Sequence, residues 1–305
     1  IARAIEMYAP DAWVISYTNP MSLCVKSLYD TFPKIKAFGC CHEVFGTQKV
    51  LAAIAKEELH VDAIDRSEIK VNVLGINHFT WFDEASYQNI DLFPVYHDYI
   101  QDHFEEGWDD PDRPWEASTF NCRHRVKFDL FNRFGYIAAA GDRHLAEFLP
   151  GDTYLKDPET VKNWMFGLTT VDFRIQQMNE RLARRKRLIS GVEKLDIAPS
   201  GEEGVLLIKA LVGLDRVVSN VNIPNTGLQI TNLPADAVVE TNAVFSRGSI
   251  KPLLAGTLPE KLREMMMPHI KNHAAILEAS KSCDKELVVQ SFLRDPLVKA
   301  KCTDE

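Results

Sequence analysis

The sequence predicts an α/β protein, with an open sheet and crossover helices over its first 80 residues and an α+β part after them. Three observations carry this. AWVIS (12–16), KIKAFG (34–39) and IKVNVLG (69–75) are short apolar runs, the kind that fits strands of a sheet covered on both faces. Helix-like stretches lie between them, from Met21 to about Thr31 and from GCCHEV through about Leu59. Beyond residue 80 the texture changes to aromatics, acids and turns, then to long helical patterns and short strands.

Taken in order, IARAIEMYAP reads as the end of a helix. Ile1 and Ile5 repeat at helical spacing and Pro10 blocks continuation. AWVIS closes in the polar turn YTNP. In the helix after KIKAFG, Val44, Leu51 and Ala55 share one face. Ile69, Val71 and Val73 alternate as in a third strand, and strand–helix–strand–helix–strand is the order of a sheet with crossover helices. ERLARRKR (180–187) is the strongest basic run and reads as a solvated helix face. From Val217 to about Pro252 short strands alternate with turns, marked by PNTG and NLPADAVVET. Helical stretches from about Pro259 to Ser280 and from Lys285 to Leu293 follow. Thr303 in the terminal CTDE stands where a helix N-cap would. With Ile1 in place of an initiating Met, this leads us to expect an internal portion of a longer protein.

The 305 residues are 46% hydrophobic and 26% charged, with a net charge of −8 that argues against a nucleic-acid partner. No apolar run reaches the eighteen or so residues of a membrane span, and no signal peptide opens the chain. Cys24, Cys40, Cys41, Cys122, Cys283 and Cys302 are sparse and irregular, which predicts a reduced, cytoplasmic protein.

Ligands of open α/β sheets bind beyond the carboxyl ends of the strands. Asn19-Pro20, Cys41-His42-Glu43 and Asn77-His78 follow the three strand runs. Thiolate and imidazole both suit a divalent transition metal. Cys41 and His78 are too distant for a zinc-finger module, so a shared ion would be assembled by the fold and keep open positions. Two other readings stay open: a buried cysteine with a capped histidine, and a Cys41–His78 nucleophile dyad. Adjacent Cys41 and His42 are badly placed for each other.

YTNPM (17–21), GCCHEV (39–44), GINHF (75–79) and PNTGLQITNLPADAVVE (224–240) together resemble glycoside hydrolase family 4 over nearly the whole chain. The resemblance implies a partial Rossmann-like sheet related to lactate and malate dehydrogenases. Residues 1–80 would be the C-terminal part of the dinucleotide-binding domain, and 81–305 an α+β substrate and metal-site domain truncated at its end. Cys41-His42-Glu43-Val44 looks like the α-galacturonidase subgroup. The implied reaction uses NAD and a divalent ion, usually manganese: oxidation at C3 of the sugar, loss of the C2 proton, elimination of the glycosidic bond, then addition of water and return of the hydride. This is a named exception to paired-carboxylate glycosidases.

By the same resemblance, Cys41 and His78 hold the ion, and Asn19 meets the sugar or nicotinamide end of the site. His42 lies beside the oxidised hydroxyl and helps to move a proton. Asn77 joins the substrate contacts, and Glu43 accepts from a sugar hydroxyl or orients a neighbour. FGYIAAAGDRHLAEF (134–148) offers Asp142, Tyr136 and His144 as the C2 base; Asp142 is preferred and Tyr136 is the runner-up. A uronate carboxylate needs a cation, for which Arg143 is nearest, with Arg123 and Arg125 behind it. The implied partners are a small oligosaccharide or α-uronide and further copies of the chain in a dimer or tetramer, with no nucleic acid and no membrane.

One departure is plain: no G-x-G occurs in the 305 residues, and that turn normally cradles the cofactor pyrophosphate. The chain alone is therefore expected to bind NAD poorly. Three alternatives remain: an α-glucuronidase or α-galactosidase of the same chemistry, a 2-hydroxyacid dehydrogenase, and a non-catalytic fragment acting as a binding partner.

Overall fold

A computed structural model describes residues 1–197 and 202–299; the expected cap at Thr303, and Cys302, lie outside the described residues. α1 (Ala2–Tyr8) leads into β1 (Trp13–Ser16). α2 (Met21–Thr31) then crosses over to β2 (Lys36–Gly39), which runs parallel to β1. The side chain of Asn19 accepts from the Met21 N–H at 3.2 Å and so starts α2. α3 (Glu43–Glu58) follows β2 and buries Val44, Leu51 and Ala55, the face its apolar spacing predicts.

The third strand departs from expectation. β3 (Ile69–Ile76) does not join this sheet; it pairs antiparallel with β4 (Phe79–Tyr87) across the turn Asn77-His78. β5 (Ile90–Asp91) and β6 (Ile137–Ala138) complete a second sheet on β4. A two-residue connection between apolar runs favours a hairpin over a crossover, and that signal lies in the sequence at Asn77-His78. The place beside β2 goes to β7 (Val217–Pro224), antiparallel through Gly39 and Asn222. β8 (Val238–Ser246) and β9 (Ser249–Pro252) follow, giving the order β1-β2-β7-β8-β9.

The helices after β4 are capped locally or from a distance. The carboxylate of Asp91 accepts from the Phe93 N–H and opens α4 (Leu92–His103). α5 (Arg125–Phe134) has no side-chain cap of its own, because His124 before it is left-handed with φ of 59°. Its free N–H groups are met by Asp142, at the start of α6 (Asp142–Glu147), which accepts from Val126 N at 3.1 Å and Lys127 N at 3.2 Å. α7 (Pro158–Asn163) is followed by α8 (Val171–Ile189), which buries no residue at all. α9 (Gly204–Leu211) covers one face of the first sheet. α10 (Glu260–Ser282), α11 (Lys285–Arg294) and α12 (Pro296–Lys299) close the described chain.

Alternation along the β3–β4 hairpin divides its side chains between two cores. Leu74 and Trp81 pack with Leu130, Leu145 and Met266, whereas Val73 and Phe82 pack with Leu51, Tyr96 and Phe128. A buried polar network joins the hairpin to the first sheet. On β8, Glu240 accepts from Asn220 Nδ2 at 2.6 Å and from Asn77 Nδ2 at 3.5 Å, and the Asn220 amide also reaches the Cys41 carbonyl at 3.2 Å. Lower down, the Asn242 side chain donates to the Val71 carbonyl at 2.7 Å.

Two consequences can be measured. Gly75 has φ of +147°, and a Cβ there would lie 2.5 Å from the Phe79 carbonyl oxygen and 2.8 Å from Thr80 Cα. Gly75→Ala is expected to cost about 2–3 kcal/mol in urea unfolding; a loss under about 0.5 kcal/mol would show that the hairpin relaxes freely. Burial raises the Glu240 carboxyl from its ordinary value of 4.5 to about 7, against its amide hydrogen bonds. The folded chain therefore holds a proton that the unfolded chain releases, so this group's contribution falls as pH rises from 4.5 through 7. Glu240→Gln should remove that slope, raising Tm relative to the parent at pH 8 by the equivalent of up to about 3 kcal/mol and less at pH 5. An equal shift at both values would count against the buried titration.

Candidate active site at the strand ends

Three chain segments meet where β2 ends. The first is Cys41-His42-Glu43, leading into α3. The second is the Asn77-His78 turn, in which His78 takes a left-handed φ of 64°. The third is Gly141–His144, at the start of α6. Glu43 ties the first to the third: its Oε2 accepts from the Gly141 N–H at 2.7 Å, and its Oε1 lies 3.6 Å from His144 Nε2 and 3.9 Å from His42 Nε2. The rings of His78 and His144 stack with centroids 4.0 Å apart. One ligand atom from each of Glu43, His78 and His144 falls within 4.8 Å of the other two, an arrangement able to hold a metal ion.

Burial acts on these groups in different directions. It works against ionisation of Glu43, but His144, the Gly141 N–H, His78 and His42 outweigh it and hold the carboxyl below its usual range. Burial first, and His144 second, lower His78 to about 4, so its imidazole is neutral with a lone pair to offer. The thiol of Cys41 is buried and held well above its usual value by desolvation and by Glu240; the Glu43 N–H and Asn77 amide oppose this.

His42 is exposed on the open side, with Nδ1 3.1 Å from Glu202. Asn19 sits exposed at the end of β1, engaged with α2. Tyr136 is half-buried against the apolar core beneath α5 and α6. Arg143 extends over the Phe120 ring, 4.9 Å from its centroid, with Nη2 3.2 Å from His144 Nε2 and a buried Nη1 that has no hydrogen-bond partner. Arg123 and Arg125 are engaged elsewhere, with Asp109 and Glu105.

Asp142, the preferred C2 base of the sequence reading, lies inside the protein. Its carboxyl is fully buried, raised to about 6 by desolvation, and both oxygens accept from the first turn of α5. So enclosed, the carboxyl caps the first turn of α5. It belongs to a second cluster with Cys122 and His124, whose Sγ and Nδ1 are 3.7 Å apart. Buried Lys127 acts on both Asp142 and Cys122 and donates to Thr47 Oγ1 at 2.9 Å. This ammonium already supplies the positive charge that Asp142 requires. Sequence reasoning gave His144 no settled role and missed Glu240 and Asn220 altogether. Their only signals were a histidine two residues after Asp142 and an acid closing PADAVVE.

The chain is 64% identical over all 305 residues to an alpha-galacturonidase of Lachnoclostridium phytofermentans and spans 66% of that enzyme's length. It shares 50% identity and a TM-score of 0.91 with the crystal structure of a putative glucosidase from Bacillus subtilis, over 98% of this chain and 68% of that one. A 6-phospho-alpha-glucosidase from gut microorganisms, solved in complex with NAD and Mn2+, is 16% identical with a TM-score of 0.73, over 97% of this chain and 65% of that one, which marks a shared fold. Residues 1–57 match the family described as "Family 4 glycosyl hydrolase", and residues 73–298 match its C-terminal domain. The chain belongs to the family 4 glycosyl hydrolases.

Proposed function

We propose that the protein carrying this chain is an α-galacturonidase that uses NAD and a divalent ion such as manganese. The observation that carries the substrate class is Arg143: a guanidinium with one buried, unpartnered nitrogen beside the His78–His144–Glu43 group. A planar carboxylate answers such a fork with two charge-assisted hydrogen bonds. The identity with an alpha-galacturonidase over the whole chain supports the same substrate.

The donors fit a divalent ion: Glu43, His78 and His144 offer ligand atoms within 4.8 Å of one another, with the His78 imidazole neutral, and the buried Cys41 thiol borders them through Asn77. Bound NAD supplies reversible hydride acceptance at C3 of the sugar, and a bound divalent ion supplies Lewis acidity at neighbouring oxygens. The pyrophosphate-cradling G-x-G turn is not among the 305 residues, so no cofactor contact beyond Asn19 is assigned here. Residues 1–80 are proposed as part of the dinucleotide-binding domain, and residues 81–305 as the substrate and metal-site domain.

The chain's own residues then divide the work. Arg143 anchors the uronate carboxylate. Glu43, held by the Gly141 N–H, fixes His144 and with it the face of His78. Asn77 bridges the Cys41 sulfur and the buried Glu240, which holds the turn in place. His42, on the open side, moves a proton at the C3 hydroxyl. With Asp142 enclosed, the base at C2 is drawn from Tyr136 and His144. No helix among the described residues is long and apolar enough to cross a membrane; a cytoplasmic homo-oligomer, dimer or tetramer, completes the proposal.

The reaction can be tested with the chain, alone and joined to the remaining segments of the 64% identical relative, given an aryl α-galacturonide, NAD, manganese and a thiol in D2O. Proton NMR of the released galacturonate should show deuterium at C2. Release without deuterium would sink the oxidation–elimination route. Arg143→Met in the active form should lower kcat/KM on the galacturonide about 100-fold, from loss of a charged hydrogen-bond pair of about 2–3 kcal/mol. A neutral α-galactoside should be hardly affected, and equal losses on both substrates would remove Arg143 from carboxylate recognition.

A further inference from the structure

α8 is the one described helix of more than ten residues with no buried side chain, yet its sequence is not polar all round. Val171, Ile175, Met178, Leu182 and Ile189 are 46–81% exposed. Their spacings of four, three, four and seven, with Arg185 completing the series, keep all of them within one stripe of a 3.6-residue helix. The opposite face carries the contacts to the rest of the protein: Phe173 meets the Phe120 ring edge-on at 6.1 Å, and Leu188 is half-buried. The stripe therefore points away from the body. Arg184 and Arg187, the nearest basic residues to that inner face, are paired with Glu193, so part of the ERLARRKR charge is neutralised within the chain.

A stripe repeating every 3.5 residues asks for another helix. We propose that it is the α8 of a second copy, packed antiparallel about a two-fold axis near residue 180. This arrangement brings Val171 to the partner's Ile189, Met178 to the partner's Leu182, and Ile175 to the alkyl stem of the partner's Arg185. On one flank Asp172 meets the partner's Lys186. A parallel pair would instead stack Arg185 on its own copy and place Arg181 beside Lys186 on both flanks, whereas the antiparallel pair brings only Arg181 to its own copy, at the axis, so charge favours the antiparallel arrangement. The seam is about 28 Å long and covers on the order of 500 Å2 per copy, short of the roughly 800 Å2 of a standard interface. Val192, Leu195 and Ile197, 64–89% exposed just beyond the helix, continue the apolar surface. The inference stands apart from the proposed reaction, since no residue of the stripe belongs to the site.

The test is the mass of the chain in solution at micromolar concentration, by light scattering or sedimentation. The parent should run as a multiple of 34.6 kDa, and Ile175→Glu with Leu182→Glu should halve that mass with circular dichroism and Tm unchanged. A monomeric parent, or a double variant that keeps its mass, overturns the proposal, whatever else then covers the stripe. Orientation is read separately, in a Cys283→Ser, Cys302→Ser background. The ends of α8 are about 27 Å apart, too far to join within one chain. Val171→Cys with Ile189→Cys should therefore oxidise to a covalent dimer while neither single change does. Cross-linking by the single changes would mean a parallel pair and overturn the antiparallel seam.

Discussion

The geometry of the site depends on one buried carboxyl. Glu240 is fully enclosed on β8, and its hydrogen bonds reach Asn220 on the neighbouring strand and Asn77 in the β3–β4 turn. The same Asn220 amide holds the carbonyl of Cys41 where β2 ends. Four elements far apart in sequence are thus fixed to one another at the point where Cys41 and His78 emerge. A buried carboxyl is expensive unless its lone pairs are answered, and here the amides of Asn220 and Asn77 answer them. The network sets the relation between two sheets that share no strand pairing.

Above that floor the site keeps charge and lone pairs separate. Glu43 and His78 are both half-buried, yet Glu43 stays ionised because imidazoles and a backbone N–H outweigh its desolvation, whereas His78 is held neutral by desolvation first and by the His144 imidazole second. An acceptor carboxylate beside a neutral nitrogen ligand is a combination that favours a cation. Asp142, only two residues from His144, shows the opposite solution. Its negative charge is spent on the first turn of α5 and on Lys127, and it leaves nothing for a ligand. Proximity in sequence to a site does not decide membership of it; access does.

This difference explains what the sequence could and could not reveal. Apolar period and turn chemistry are local, so β1, α2, β2, α3 and the β7–β9 region were legible almost to the residue. The partner of β3 was not, because the choice between crossover and hairpin depends on which strand fills the slot beside β2, and β7 fills it from about 180 residues away in the chain. The strand-end residues were legible because Cys41, His78 and Glu43 sit in short motifs where the chain must turn. The burial of Asp142 was not legible, because a carboxyl in a loop looks the same whether it faces solvent or caps a distant helix. Glu240 was missed because nothing in PADAVVE marks which side of the strand is closed off.

Phe120 carries the last link between site and scaffold. Arg143 lies over its ring, and Phe173, near the start of α8, meets the same ring edge-on. The ring itself is 52% exposed, so its position rests on those two contacts more than on a surrounding core. The guanidinium proposed to read the substrate is therefore only two side chains away from a helix that has almost no contact with the body of the protein. A helix held by so few buried contacts fluctuates more than one packed on two sides. Phe173 sets one side of the Phe120 ring, and that ring sets the plane in which Arg143 presents its unpartnered nitrogen. The proposed seam on α8 and the proposed carboxylate contact at Arg143 therefore border the same aromatic side chain, Phe120.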